Sequence, residues 1–144
     1  MSYLKFVPKR WGYEKHICNY NGEPNYCGKI LFIAAGQSFS YHFHKNKHEN
    51  FHILKGCGEL FLIDDVRQNN FRTYEEWSHS GYRDDDLDYG DYRQYLNENE
   101  TVEIKPYAGH KIWAQSDLTI VEFSTYDCPS DSYRLEQIKE GYIT

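Results

Sequence analysis

Short segments in which apolar and polar residues alternate recur along most of the chain, and helical periodicity is nearly absent. Alternation with a period of two is typical of strands that bury one face. Turn residues separate the segments, among them Asn21-Gly22, Gly36, Gly56 and Ser116-Asp117. We therefore predict strands over residues 13–20, 26–34, 38–44, 49–55, 59–64, 101–105, 111–115 and 118–126.

Regularly spaced short strands with little helix predict an all-β sandwich or barrel. Residues 65–100 interrupt this rhythm, because they hold too few alternating apolar residues for a simple hairpin. We expect an insertion at the edge of the barrel there, with short helices at 74–77 and 91–97, and long insertions are often functional. The chain has 144 residues, which predicts a single domain over 1–144.

A histidine pair in the predicted strand 38–44 is the first sign of chemistry. His42 and His44 lie two residues apart, so their side chains point to one face of a strand and both can reach one ion. Phe39 is expected on the opposite face. Glu49 begins the next strand, and antiparallel pairing would bring its carboxylate to the same ion. The spacing therefore predicts a metal site.

His110 is the fourth candidate ligand, since it follows a strand and a turn and opens the next strand. Three imidazoles and one carboxylate suit one divalent transition metal such as Zn, Mn, Fe or Ni, and suit Ca or Mg poorly. Four protein ligands on an octahedral ion would leave two positions for water or substrate.

Residues 36–56 resemble the first cupin motif, Gly-x5-His-x-His-x4-Glu-x6-Gly, and every fixed position is filled. Of the second cupin motif only His110 is kept, and Tyr107 stands where that motif has its second glycine. The resemblance implies a double-stranded β-helix, the cupin jelly-roll barrel, with the insertion at 65–100. It implies a metal ion held by His42, His44, Glu49 and His110.

A narrower resemblance is to the cupin domain of type II mannose-6-phosphate isomerases. Residues 10–14 (Arg-Trp-Gly-Tyr-Glu) resemble the Pro-Trp-Gly-Tyr entry of that domain, and residues 36–40 (Gly-Gln-Ser-Phe-Ser) resemble its Gly-Gln-Ser-Leu-Ser. The segment from Glu122-Phe123 to Tyr133-Arg134 resembles the tail of that domain. This resemblance implies a cupin that acts on a sugar phosphate.

Five further side chains are candidates for substrate chemistry. His48 could act as an acid or base at the pocket mouth. Glu122 faces into the barrel in one phase of its strand and outward in the other, and a buried Glu122 would have a raised pKa and could carry a proton. Arg134 is the basic residue that the tail resemblance singles out, and its guanidinium matches phosphate geometry. Lys105 and Lys111 flank the turn before the fourth ligand and are secondary candidates for substrate binding.

Four hypotheses about function remain at this point. The leading one, implied by the narrower resemblance, is a metal-dependent isomerase of mannose-6-phosphate isomerase type that interconverts an aldose and a ketose in the barrel pocket. The same His3Glu site also suits a cupin dioxygenase. Other cupins are epimerases of nucleotide-linked sugars that use a histidine base without a metal. The fourth is a non-enzymatic cupin that contains a metal and binds a sugar or another metabolite.

Charge and composition restrict the partners. The net charge of −6 and the pI of about 5.6 argue against nucleic-acid binding. We expect a cytoplasmic protein without a membrane partner, because neither a signal-peptide pattern nor an apolar run of membrane-spanning length is present. The cysteines form no Cys-x-x-Cys pair and are expected as free thiols. The cupin resemblance implies a possible homodimer.

Overall fold

Antiparallel strands form almost all of the regular structure in the computed structural model, which describes residues 4–67 and 92–135. A single 3-10 turn, Pro129–Asp131, precedes the last strand in the described part of the chain. The strands are β1 Lys5–Lys9, β2 Gly12–Tyr20, β3 Tyr26–Ile33, β4 His42–Phe43, β5 Glu49–Lys55, β6 Gly58–Ile63, β7 Tyr92–Leu96, β8 Thr101–Ile104, β9 Gly109–Ala114, β10 Leu118–Ser124 and β11 Tyr133–Arg134.

Two sheets contain these strands. The first has the order β1-β2-β3-β10-β5-β8 and the second the order β11-β4-β9-β6-β7. Burial alternates along β3, as expected for a strand that turns one face to the interior. The main core joins both sheets, with Leu31, Phe51 and Ile120 from the first and Leu60 and Ile112 from the second. The prediction of an all-β fold is therefore confirmed.

Two predicted elements differ from the structure. The helix predicted at 91–97 is wrong, because Tyr92–Leu96 pairs antiparallel with β6 and forms an edge of the second sheet. The strand predicted over 38–44 is regular only at His42–Phe43, and Ser38 makes an isolated bridge to Trp113. The helix predicted at 74–77 lies outside the described residues, as does most of the predicted insertion.

The register of the first sheet determines which side chains lie next to each other on the inner face of the barrel, where the site is found. His16 of β2 lies opposite Lys29 of β3, Lys29 opposite Glu122 of β10, and Glu122 opposite Phe51 of β5. In the next row toward the end of the sheet, Ser124 of β10 lies opposite Glu49 of β5. Polar side chains therefore stand side by side on four neighbouring strands.

All four cysteines are free thiols, as predicted. Cys18 lies opposite Gly28 across the β2–β3 hairpin, so the register does not pair it with Cys27. Within residues 4–67 and 92–135, no helix is long and apolar enough to cross a membrane.

Candidate metal centre

Three histidines meet on the second sheet. His42 of β4 lies directly opposite His110 of β9, and His44 follows β4 by one residue. One ring nitrogen from each of the three side chains lies within 4.8 Å of the other two. His44 and His110 are buried. The spacing of His42 and His44 and the antiparallel pairing of β4 with β9 thus produce the cluster that the sequence predicted.

Backbone carbonyls fix the orientation of all three rings. A carbonyl oxygen can only accept a hydrogen bond, so each Nδ1 carries the proton and each Nε2 keeps a lone pair. This tautomer is the one in which Nε2 can bind a metal ion. The contacts are His42 Nδ1 to Ser40 O at 2.7 Å, His44 Nδ1 to Asp131 O at 2.6 Å and His110 Nδ1 to Ala108 O at 2.9 Å.

Glu49 approaches the cluster from the first sheet, so the predicted antiparallel pairing of its strand with the strand of His42 is wrong, and β5 pairs with β10 and β8 instead. Glu49 Oε2 lies 3.2 Å from His110 Nε2 and 3.7 Å from His44 Nε2, and Glu49 Oε1 lies 3.0 Å from Lys47 Nζ. Glu49 Oε2 and His110 Nε2 are both buried without a hydrogen-bond partner. Buried polar atoms without partners are rare and unfavourable. A divalent ion would satisfy both, and the nitrogen and oxygen donors fit a transition metal.

Two of the histidines, His42 and His44, are held in the neutral form that metal binding requires. Burial, followed by repulsion from His110 and His44, holds the pKa of His42 well below its usual range. Burial also lowers the pKa of His44, against the attraction of Glu49. At neutral pH these imidazoles are therefore available as ligands without first losing a proton.

The turn before His110 contains an unusual backbone conformation. Tyr107 has a φ of 68°, which lies in the left-handed region that favours glycine. Its N–H donates to His44 O at 2.7 Å, and its carbonyl accepts from the Val66 N–H at 2.9 Å. The second cupin motif has glycine at this position, so the turn is kept here although the residue is not. Because it bonds to His44, this turn connects the two ligand-bearing segments.

Asp131 holds the polar corner between β4 and β5, and sequence reasoning missed it. Its carboxylate is buried and accepts hydrogen bonds from consecutive backbone amides, while its carbonyl accepts from His44. No local pattern could have revealed this role, because the partners lie more than 80 positions earlier in the chain. The amide donors are Lys45 at 2.8 Å, Asn46 at 3.1 Å and Lys47 at 3.1 Å.

A buried charge network adjoins the cluster and centres on Lys47, which sequence reasoning also missed. Lys47 Nζ lies 2.8 Å from Glu122 Oε2 and 3.1 Å from Asp127 Oδ1, in addition to its contact with Glu49. Burial alone would lower the pKa of Lys47, but the three carboxylates raise it well above its usual range. Lys47 is therefore a fixed positive charge between the candidate metal site and the adjoining acids.

Glu122 points into the barrel, which decides between the two orientations that the sequence left open. Its side chain is buried. Burial first, and then repulsion from Glu49, raises the pKa of Glu122 despite the nearby lysines. The expected raised pKa of a buried Glu122 is thus present in the structure.

A cavity of about 380 Å³ is lined by His42 and His44 of the histidine cluster, by Glu49 and by the charge network around Lys47. Of the substrate-chemistry candidates, Glu122 and Arg134 line it. The structure does not bring the other three to the cavity. His48 is half exposed and its Nε2 lies 2.8 Å from Glu103 Oε2. Lys105 is exposed on the surface, and Lys111 is buried on the strand of His110 but alternates with it and faces away.

Apolar side chains form another part of the cavity wall, with Trp11, Leu31, Phe39 and Phe51 among them. The expectation that Phe39 faces away from the histidines is wrong. Its ring meets those of His42 and His110 edge to face, with centroids 5.4 Å and 6.0 Å apart. The chain before His42 is not a regular strand, so the alternation of sides does not extend back to Phe39.

Solved structures share this fold at low sequence identity. The capsular polysaccharide assembling protein CapF of Staphylococcus aureus matches with a TM-score of 0.67 and 18% identity, over 92% of this chain and 32% of CapF. An oxalate decarboxylase variant of Bacillus subtilis matches with a TM-score of 0.66 and 12% identity, over 92% of this chain and 30% of that protein. This chain therefore spans about a third of the length of these proteins.

A Klebsiella pneumoniae protein with a double-stranded β-helix domain matches with a TM-score of 0.55 and 10% identity, over 78% of this chain and 75% of that protein. Together these neighbours confirm that the fold is the double-stranded β-helix of the cupins. The histidine cluster is a group of side chains that could hold a divalent metal ion.

A comparison with curated protein sequences finds no match. The family model for D-lyxose isomerase, in contrast, matches residues 9–140, which include every residue of the cavity described above. This match supports a sugar isomerase family, whereas the narrower resemblance to type II mannose-6-phosphate isomerases stays a prediction. The chain belongs to the D-lyxose isomerase family of cupin-like proteins.

Proposed function

We propose that this chain is a metal-dependent aldose–ketose isomerase. The observation that carries the proposal is a buried acid, Glu122, that lines the same cavity as Glu49 and two members of the histidine cluster, His42 and His44. Isomerisation of a sugar needs a Lewis acid at its oxygens and a base that moves one proton between neighbouring carbons. The cavity contains residues suited to both tasks.

His42, His44, Glu49 and His110 would hold the divalent ion. When bound, the ion would supply Lewis-acid polarisation of the carbonyl and hydroxyl oxygens of the sugar. The chain would orient these ligands through the backbone carbonyls that fix the imidazoles and through Lys47, which holds the other oxygen of Glu49. Such outer contacts set ligand geometry and basicity.

Glu122 would carry the proton between C1 and C2 through an enediol. A base for this step works best when its pKa is raised toward neutrality, and burial raises the pKa of Glu122. Lys47, 2.8 Å from Glu122, would steady its ionised form and hold it in place. The proposal does not include His48, whose side chain pairs with Glu103 outside the cavity.

The first substrate that we propose is a free aldose such as D-lyxose, the sugar named by the matching family. A cavity of about 380 Å³ is within the size range of small-molecule sites. It combines an apolar wall, suited to the C–H groups of a sugar, with charged groups suited to its hydroxyls. A sugar phosphate, including mannose 6-phosphate, is the second candidate, because Arg134 lines the same cavity.

The test is proton NMR in D₂O. Protein loaded with Mn²⁺, Zn²⁺, Ni²⁺ or Fe²⁺ is added to free aldoses, including D-lyxose, and to sugar phosphates, including mannose 6-phosphate. We expect ketose to form and solvent deuterium to enter at C1 or C2, with both lost on chelation. Glu122→Gln should abolish exchange while the protein still binds metal.

The matched control is Glu103→Gln, since Glu103 is an exposed carboxylate paired with His48 outside the cavity. This variant should exchange deuterium like the wild type. Absence of exchange with every sugar, despite one bound metal per chain, would contradict the proposal. Oxygen uptake in the same samples would then favour a dioxygenase.

A further inference from the structure

Glu14 and His16 of β2 form a polar pair that the proposed chemistry does not use. The two side chains lie two residues apart on the face of β2 that lines the cavity. His16 Nε2 lies 2.6 Å from Glu14 Oε1, and the side chains are 24% and 17% exposed. Both are thus close-paired and still accessible from the cavity.

The pair lies on β2, three strands away across the first sheet from β5, which carries Glu49. A series of ion pairs connects the two: Glu49 to Lys47 at 3.0 Å, Lys47 to Asp127 at 3.1 Å, Asp127 to Lys29 at 2.6 Å and Lys29 to Glu14 at 3.8 Å. A molecule bound at the metal ligands would therefore extend along this series toward Glu14 and His16.

The backbone of β2 is irregular directly after His16. The register with β3 shifts between His16 and Cys18, so β2 has one extra residue, Ile17, which is exposed. Bulges of this kind bend a strand and redirect the neighbouring side chain, and they are frequent beside active sites. The bulge is an independent sign that β2 is shaped around the cavity at His16.

The charges around the pair favour a hydroxyl over a phosphate. Glu14 is a carboxylate, Lys29 is already paired with Asp127 at 2.6 Å, and Lys9 Nζ lies 3.9 Å from Glu14 Oε2, so both lysines here have a carboxylate partner. A phosphate would meet the negative charge of Glu14, whereas a hydroxyl can donate to the carboxylate. Leu31, directly opposite Glu14 on β3, and Trp11 provide apolar surface beside the pair for the C–H groups of a sugar.

We propose that Glu14 and His16 bind the terminal hydroxyl of the sugar and so determine specificity for substrate length and for an unphosphorylated end. The hydroxyl donates to the Glu14 carboxylate, and His16 holds that carboxylate in position. This inference rests on the proposed isomerase function, and it assigns to the pair a task separate from that of Glu122 and the metal ligands.

The test removes one group of the enzyme, the Glu14 carboxylate, and one group of the substrate, the terminal hydroxyl, separately and together. We would measure kcat/KM of metal-loaded wild type and Glu14→Gln for the isomerised aldose and for its analogue without the terminal hydroxyl. A lost hydrogen bond to a charged group predicts a fall of about 10-fold or more with the parent sugar, mainly through KM. With the deoxy analogue the two proteins should have the same kcat/KM.

Two further variants provide a second test and a matched control. His16→Gln should reproduce a weaker form of the Glu14→Gln pattern, which covers the case in which Glu14→Gln folds poorly. Lys15→Gln is the matched control. Lys15 lies between Glu14 and His16 in the chain but on the other face of β2, with its Nζ 5.5 Å from the centre of the Tyr13 ring. Lys15→Gln should leave both substrates unchanged.

A second measurement separates this inference from the proposed function. The alditol of the substrate has the terminal hydroxyl but cannot be isomerised, and its affinity is measured by calorimetry. If no sugar is isomerised but Glu14→Gln weakens alditol binding about 10-fold, the proposed function fails and the terminal subsite stands. Isomerisation with equal effects of Glu14→Gln on both sugars would overturn the subsite alone. Wild-type protein that neither isomerises sugars nor binds the alditol would overturn both.

Discussion

The two carboxylate oxygens of Glu49 have different partners, and this difference defines the metal site at the scale of single residues. Oε1 lies 3.0 Å from Lys47 Nζ, so it has a fixed positive neighbour. Oε2 faces His110 and His44 and has no hydrogen bond. One oxygen thus anchors the side chain while the other is directed at the place where three imidazole nitrogens converge.

Replacement of Glu49 tests this arrangement. Glu49→Gln keeps the size of the side chain but removes the charge and places either an amide N–H₂ or a weaker acceptor at the site. We expect metal affinity to fall by more than about 10-fold, since even outer-shell changes reduce it by that order. The measurement is a calorimetric titration with Zn²⁺ or Mn²⁺, with Glu103→Gln as the control that binds normally. Unchanged affinity in Glu49→Gln would show that this carboxylate is not a ligand.

Asp127 makes stability depend on acid pH. Burial would raise its pKa, but Lys47 and Lys29 outweigh burial and lower the pKa of Asp127 from 3.8 to about 2. Between these values the unfolded chain binds a proton that the folded protein does not, so stability falls as pH falls from about 4 to 2. Asp127 thus contributes stability above pH 4 that is lost in this window.

The Asp127→Asn variant isolates this contribution. The variant should be about 1–2 kcal/mol less stable than wild type at pH 6, a value reduced for the partial exposure of the side chain. The difference should shrink as pH falls through the window from 4 to 2. Urea unfolding of both proteins across that range measures it, and a difference that stays constant to pH 2 would contradict the assignment.

Among single residues, sequence reasoning identified the site residues that lie close together in the chain and missed those whose partners lie far away in the chain. His42 and His44 lie two positions apart, so strand periodicity places their side chains on one face. Glu49 follows five positions later, but it reaches them because the two sheets face each other. Asp131 and Asp127 act on the segment around Lys47 from about 80 positions away, and no periodicity relates them. Only the pairing of the sheets brings these groups together.

At the scale of strands and turns, two glycines of the first cupin motif are required for different reasons. Gly36 has a φ of 81° and open space where a Cβ would be, whereas Gly56 has a φ of 89° and a Cβ there would lie 2.0 Å from Asp117 O. Gly56 joins β5 to β6, so any shift would move both strands. The β5–β6 turn therefore requires glycine both for its backbone conformation and for its close approach to Asp117.

Alanine at each position separates these effects. Gly36→Ala carries only the conformational penalty, about 1–2 kcal/mol of unfolding free energy. Gly56→Ala adds a clash with backbone and should destabilise by about 3 kcal/mol or more. Denaturant unfolding of the two variants side by side is the measurement, and equal losses would show that the close approach of Asp117 is relieved without strain.

Two of the elements that sequence reasoning misjudged are short edge strands. Tyr92–Leu96 was predicted to be helical, but its tyrosines suit a strand and it gains its hydrogen bonds only by pairing with β6. β1, which was not predicted, pairs only with β2 at the edge of the first sheet. Such strands have weak local signals because a neighbour, and not their own pattern, determines them.

At the scale of the whole molecule, the candidate metal site joins the two sheets. His42 and His110 belong to the second sheet, and Glu49 belongs to the first. Without an ion, Glu49 Oε2 and His110 Nε2 are buried polar atoms whose desolvation is not offset by a hydrogen bond. Binding of an ion at this place would therefore stabilise the contact between the sheets as well as complete the site.

Metal binding should consequently raise the melting temperature of the protein. An ion that binds only the folded state adds about 2.7 kcal/mol of stability at a concentration 100 times its Kd, which corresponds to roughly 10 °C for a chain of this size. The measurement is thermal unfolding of chelator-treated protein with each metal in turn. Zn²⁺, Mn²⁺, Ni²⁺ or Fe²⁺ should raise Tm, and Ca²⁺ and Mg²⁺ should have little effect, because imidazole ligands disfavour the last two ions.

The Glu49→Gln variant decides whether the stabilisation comes from the bridge between the sheets. In this variant the three histidines remain but the first sheet supplies no charged ligand, so the shift in Tm should be much smaller than in wild type at the same metal concentration. A full shift in Glu49→Gln would place the ion on the second sheet alone. In that case Glu49 Oε2 would face the substrate. The ion would then have one protein ligand fewer and one more open position for water or substrate.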